Sequence, residues 1–298
     1  MESLLSLAFT NISARDSGRI RKGLRQIEGL LAQICLSSAK LSPHKRRGSD
    51  GREKGEDEQT NSKRLGVLRK DAAFREFFRL QEGFQWNVAG RLIATLERLL
   101  GMGNAASTDL VILSALDVLQ GVLLLHPPSR SLFEREDYMN LLLDLLDYSN
   151  PPAIQSQAVL VLVTALLDCP RNTRVFEQVD GLLTVTSLFK SRGTTKDVKM
   201  RTLEFLYFYL MPERGPASSN SAPNLAALHR NPNKPARHAR THSNDASDGM
   251  EMDIDTDEQE SDVKGTDEKQ RLLGRYLTNV DELVQDLRES TAFATVVG

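Results

Sequence analysis

Ser129-Arg130-Ser131-Leu132-Phe133-Glu134-Arg135-Glu136-Asp137 and Asn172-Thr173-Arg174-Val175-Phe176-Glu177-Gln178-Val179-Asp180 carry one pattern, 43 residues apart, and an apolar helical run follows each. That spacing is the period of stacked two- and three-helix units. Such units cannot bury their apolar faces alone and must pile on one another, leaving a long open surface. The pattern predicts an all-α chain, an armadillo/HEAT-like helical-repeat solenoid with disordered insertions, whose work is to bind a protein.

Outward from this pair, Phe78-Arg79-Leu80-Gln81-Glu82-Gly83 matches Phe176 to Gly181 as a third copy. The longer apolar runs that follow share a phase: Leu110, Ala115, Leu116, Leu119 and Val122 align at an offset of 44 with Ile154, Val159, Leu160, Val163 and Leu166. The same offset leads on to Val198, Leu203, Glu204, Tyr207 and Leu210. Breaks at Gly101 to Asn104, His126-Pro127-Pro128, Asn150-Pro151-Pro152, Cys169-Pro170 and Ser191 to Gly193 read as helix stops and starts. No alternation of apolar and polar residues calls for a strand.

The expected organisation is N-terminal helices over 1–36, a disordered insertion over 37–66, helical repeats over 67–211, a disordered linker over 212–268 and a capping helix over 269–289. In the first part Ile20, Leu24, Ile27, Leu31 and Ile34 recur at spacings of four and three, one stripe of a helix. Residues 37–66 have too few large apolar groups to offset the entropy of ordering them. The linker is blocked in charge: 229–244 hold Arg230, Lys234, Arg237 and Arg240 without an acid, and 245–268 hold eleven acids against Lys264. In the last helix Leu273, Tyr276, Val280, Leu283, Val284 and Leu287 share a side, suited to covering the end of a stack or docking on a partner.

A net charge of −2 in 298 residues gives no reason to expect nucleic acid. Two cysteines, Cys35 and Cys169, each end an apolar run and suit buried thiols in a reducing compartment. Met1 to Leu7 lacks the basic region of a signal peptide, and the apolar run Ala158 to Leu167 is too short for a bilayer, so no membrane span is expected. Gly101-Met102-Gly103-Asn104 lacks the third glycine and the preceding strand of a dinucleotide loop. After Cys169 the position of a phosphatase arginine is held by Val175, and no phosphate-cradling glycines follow. The histidines, His44, His126, His229, His238 and His242, lack cysteines or carboxylates at ligand spacing, and His126 before two prolines suits a helix-capping cation. No enzyme, metal, cofactor or small-molecule substrate is expected.

Three strings are specific. Leu113-Ser114-Ala115-Leu116-Asp117 to Gln120-Gly121-Val122-Leu123-Leu124-Leu125-His126-Pro127-Pro128-Ser129-Arg130, Phe74-Arg75-Glu76-Phe77-Phe78 through Trp86-Asn87-Val88-Ala89, and Arg201-Thr202-Leu203-Glu204-Phe205-Leu206-Tyr207-Phe208-Tyr209-Leu210-Met211-Pro212-Glu213 resemble the fungal cell division control protein 14 family. This is the septation initiation network component, unrelated to the phosphatase sharing its name. The resemblance implies a non-catalytic adaptor or regulatory subunit that binds a germinal-centre-type serine/threonine protein kinase. It implies a cytoplasmic protein at the spindle pole body in mitosis, promoting septum formation and cytokinesis. A generic helical-repeat adaptor for a linear peptide or transport partner is the alternative, expected to show a ladder of exposed asparagines where this chain has Gln155, Gln157 and Arg201.

Phe84, Trp86, Tyr207 and Tyr209 are the candidate partner-binding anchors, because aromatic groups dominate interface energetics. Ser42 before Pro43, and Ser49 and Ser243 behind arginines, are candidate phosphorylation sites, where a phosphate would add about two negative charges beside a basic run.

Overall fold

The computed structural model describes residues 1–36, 68–102, 106–213 and 263–289, and every regular element in them is helical. The expected insertion, the greater part of the linker, and Ser42, Ser49 and Ser243 lie outside these residues. Helices α1 (Glu2–Ile12) and α2 (Ser17–Cys35) form an antiparallel pair, with Asp16 accepting the Arg19 amide at 2.8 Å to cap α2. Gly23 marks their crossing: a Cβ there would sit 2.6 Å from Ile12 Cγ2.

Then come α3 (Ala72–Glu82), a 3₁₀ turn over Phe84–Trp86, α4 (Val88–Leu100) and α5 (Ala106–Leu125). A second 3₁₀ segment over Pro127–Glu134 leads to α6 (Glu136–Asp144), α7 (Pro152–Leu166), α8 (Pro170–Gln178), α9 (Gly181–Lys190) and α10 (Lys196–Leu210). Asp71 and Asn87 cap α3 and α4, while Pro152 and Pro170 occupy first helical turns, where a missing N–H costs nothing.

The long helices pack in order, α2 on α5, α5 on α7 and α7 on α10, with α4 beside α5. Their facing residues repeat. Val111, Ala115, Val118, Leu119 and Val122 of α5 correspond to Ile154, Ala158, Val161, Leu162 and Ala165 of α7, and these to Val198, Thr202, Phe205, Leu206 and Tyr209 of α10, all buried. The step is thus 43 residues and then 44. The uniform offset of 44 read from sequence is corrected at its first step: Leu110 is 58% exposed, whereas Ile154 is fully buried. Helix α5 is apolar nearly all round there, so periodicity could not choose between Leu110 and Val111.

The turns obey the same step. His126 (φ −128°, ψ 78°) and Cys169 (φ −130°, ψ 80°) have the same backbone and each precedes a proline, although the chain beyond winds as 3₁₀ in one case and as α-helix in the other. Phe133 and Phe176, the phenylalanines of the two quoted stretches, are both fully buried. Polar side chains tie successive layers together: Asn87 Nδ2 donates to Ser129 Oγ at 3.2 Å, Arg130 Nη1 to the Leu167 carbonyl at 2.8 Å, and Asn172 Nδ2 to the Arg130 carbonyl at 2.8 Å.

Helix α5 contains an 18-residue stretch, Thr108–Leu125, long and apolar enough to cross a membrane, with a mean hydropathy of 1.8. It packs against α2, α4 and α7 as the central helix of the stack, which accounts for its composition. Where one capping helix was expected over 269–289, two occur, α11 (Thr266–Leu273) and α12 (Val280–Glu289), both on α10. The chain ends α11 at Gly274 and turns before α12.

Close packing around Phe176 distinguishes two glycines that look equivalent in sequence. A Cβ on Gly181 would lie 2.2 Å from the Phe176 ring, whereas on Gly83 it would meet only the Leu80 carbonyl at 3.6 Å. Gly181→Ala should lower stability by about 1–3 kcal/mol through overpacking, and Gly83→Ala should be near neutral; chemical denaturation of both variants checks the contrast.

Candidate partner-binding surface

Helices α2 and α3 stand on either side of the C-terminal end of α5 and leave a groove between them. One cavity of about 800 Å³ lies between α3 and the end of α5, with Phe74, Phe78, Leu125 and Pro127 in its walls. A second, of about 490 Å³, lies between α2 and α5 and is lined by Leu31, Ala32, Val118 and Gly121. Leu124 and Leu125 line both, so the two adjoin at the end of α5, where Leu124 remains 50% exposed.

Below the groove His126 is 1% exposed, its ring edge-on to Phe78 at 4.4 Å and its Nδ1 2.8 Å from Ser129 Oγ. Burial holds its pKa below the ordinary imidazole value, and the nearby Glu82 carboxylate offsets this only in part. The expected cationic cap is therefore a neutral buried ring.

The four aromatic candidates do not form one patch. Phe84 is 93% exposed; Trp86, half-buried, stacks on Phe9 at 6.2 Å, and its carbonyl accepts from Gln81 Nε2 at 3.1 Å. Tyr207 is half-buried on α10 and donates to Asp286 of α12 at 3.2 Å; burial and that carboxylate raise its pKa. Tyr209 is 1% exposed, which leaves it no face for a partner. Its hydroxyl donates to Glu177 at 2.7 Å, and burial, before the Glu177 charge, pushes its pKa far above the phenolic range. Of the three residues weighed for a peptide ladder, Gln155 is buried on the Asp147 carbonyl, Gln157 bonds Gln120 at 2.9 Å and Arg201 pairs with Glu204. None acts as a free asparagine-like rung.

Tyr209 belongs to a charge network that sequence reasoning missed. Arg174 pairs with Glu213 and with Glu177, Lys264 reaches Glu177 at 2.6 Å, and Lys269, its side chain 5% exposed, reaches Glu213 at 3.0 Å. Lys269 also donates to the Met211 carbonyl, and the Glu213 amide donates to the Lys264 carbonyl. Burial lowers the Lys269 pKa despite the two glutamates. These residues come from α8, from the end of α10 and from the start of the C-terminal segment, and they fasten α11 to the stack. The only sequence signal was Lys264 and Lys269 standing near a long acidic block.

Towards reaction chemistry the geometry offers little. Burial raises the pKa of the Cys169 thiol, opposing thiolate formation, and Arg174 is committed to glutamates. Among the described residues no three His, Cys, Asp or Glu side chains converge as a metal site. What the fold presents is a stack of helices with a sided, grooved exterior and a polar clasp at one end.

Residues 1–293 match the family described as Cell division control protein 14, SIN component, and the chain belongs to it. It is 30% identical over 222 residues to "Cell division control protein 14" of Schizosaccharomyces pombe, covering 72% of this chain and 80% of that protein. No solved structure matches.

Two outcomes follow from the buried polar groups. Glu213→Ala leaves Arg174 and Lys269 short of their shared carboxylate and should cost about 3–5 kcal/mol locally, seen as faster proteolytic release of the C-terminal helices in a limited digestion. For His126 the folded pKa is depressed, so stability is fully present above about 6.5 and falls as pH drops below it, where the unfolded chain takes up the proton first. His126→Asn should flatten that part of the thermal stability profile, measured as the slope of melting midpoint against pH.

Proposed function

We propose that this protein is a non-catalytic adaptor of the septation initiation network that binds a germinal-centre-type protein kinase and promotes septum formation and cytokinesis. Membership of the Cell division control protein 14, SIN component family, matched over residues 1–293, carries the reading. In it the helical stack is armadillo-like, with 43- and 44-residue steps as its repeat, and α11 and α12 cover its last layer. Its seat is the cytoplasm and, in mitosis, the spindle pole body.

The physical form supports such a role. A stack whose layers bury one another keeps its outer faces available without loss of fold. Among the described residues Phe84 is the most exposed large apolar side chain, and it stands close to Trp86 on a short turn anchored by Gln81, a rigid mount for an aromatic anchor. Tyr207 is the second candidate, at the joint with α12. Tyr209 contributes through the clasp.

Tagged protein purified from dividing cells should carry the kinase as its chief partner by mass spectrometry, and Phe84→Ala should reduce that recovery while leaving the melting temperature unchanged. A kinase assay with and without the purified chain then separates activation from tethering. Recovery of transport receptors or other peptide ligands in place of a kinase would sink the reading.

A further inference from the structure

The groove between α2 and α3 is charged in opposite senses at its two ends. Arg69, Arg75 and Arg79 line the α3 cavity with one carboxylate, Glu82, so this end is net basic; Arg75 and Arg79 stand one helical turn apart, and none of the three arginines makes an ion pair among the described residues. Glu28 and Asp117 line the α2 cavity, close enough that Glu28, after burial, helps raise the Asp117 pKa, and neither is paired with a base among the described residues. Between them lies the apolar floor of Leu124 and Leu125. Two unmet charge sets flanking an exposed leucine ask for one ligand that satisfies all three.

We propose that this groove takes a linear segment of a partner protein, acidic where it meets Arg69, Arg75 and Arg79, basic where it meets Glu28 and Asp117, with large apolar side chains between, seated on Leu124 and Leu125. This rests on the adaptor reading only in that the occupant belongs to another protein. The chain's own polar segments complement the groove less well. Residues 37–67 contain both charge signs, but their large apolar side chains, Leu41, Leu65 and Val67, stand at the two ends of the stretch and none lies between its basic run, Lys45 to Arg47, and its acids, Glu53 to Glu58. Residues 214–262 carry bases at 230–240 and acids at 245–262, but no large apolar side chain lies between Arg240 and Asp245; Leu225 and Leu228 precede the bases, and Met250, Met252 and Ile254 sit among the acids. A bipolar segment with apolar anchors gains from the floor and from both ends, and the order of its charges fixes its direction in the groove.

The test is fluorescence polarisation with the full-length chain and a labelled synthetic peptide built as an acidic triplet, a leucine and phenylalanine helix face, and a basic triplet. A control peptide has its charged ends exchanged and its apolar face kept. The first peptide should saturate the protein, and the exchanged one should bind at least about tenfold more weakly, as should the first peptide on the Arg75→Glu, Arg79→Glu double variant. Leu124→Glu, at a half-exposed site, should abolish binding with the circular dichroism melt unchanged. Equal binding of the two peptides overturns the proposal. So does tighter binding of peptides spanning 37–67 or 214–262, which makes the chain its own ligand, or a dimer that Leu124→Glu turns into a monomer in light scattering, which makes the face a contact between copies. Kinase recovered in the co-purification while the first peptide fails to bind wild type removes the groove and leaves the adaptor reading standing.

Discussion

The contact of α5 with α7, and of α7 with α10, through the buried rows that begin at Val111, Ile154 and Val198 is what everything else in this structure rests on. Neither α5 nor α7 has a polar face wide enough to be stable alone in water, so each is held by its neighbours on both sides. Small residues recur at one buried position: Ala115, Ala158 and Thr202 are equivalent at the 43- and 44-residue steps, and all are fully buried. Hydrophobic burial supplies the drive, and the one-residue difference between the two steps falls after the proline turns, between Phe176 and Val198, which stand 22 residues apart where Phe133 and Ile154 stand 21 apart.

Where the stack ends, the chemistry of burial changes. Layers inside are joined by apolar rows and a few amide or guanidinium stitches, but α11 is joined by Glu177 and Glu213 set among Arg174, Lys264 and Lys269. Buried ions are costly to desolvate and gain their keep in geometry, since each carboxylate must be met by the right donor. A clasp of this kind specifies one docking position for the C-terminal helices. It ties Lys264, just before α11, to Glu213 and Lys269 of α11 to the Met211 carbonyl.

The exterior of the first layers is built differently again. There the end of α5 is covered by neither α2 nor α3, and the half-exposed Leu124 lies between arginines on one side and carboxylates on the other. Phe84 and the groove are two separate features, one a projecting anchor and one a recess, and they need not serve the same ligand.

Much of this was legible in the residues. The phenylalanine motif at 43 residues, the proline-marked turns and the apolar runs led to an all-α chain, and the three specific strings led to the family. The register of α5 was not legible, because Leu110, Val111, Ile112 and Leu113 are all apolar and only contact with α7 leaves Leu110 outside. Nor could spacing separate Tyr207 from Tyr209, two residues apart in an aromatic run, one bonded to α12 and the other sealed beneath Glu177. Composition and period determine that a segment is helical and apolar; which of its sides is covered, and which distant charges meet, is decided by the neighbours it packs on, because burial and ion pairing depend on distances that only the folded chain creates.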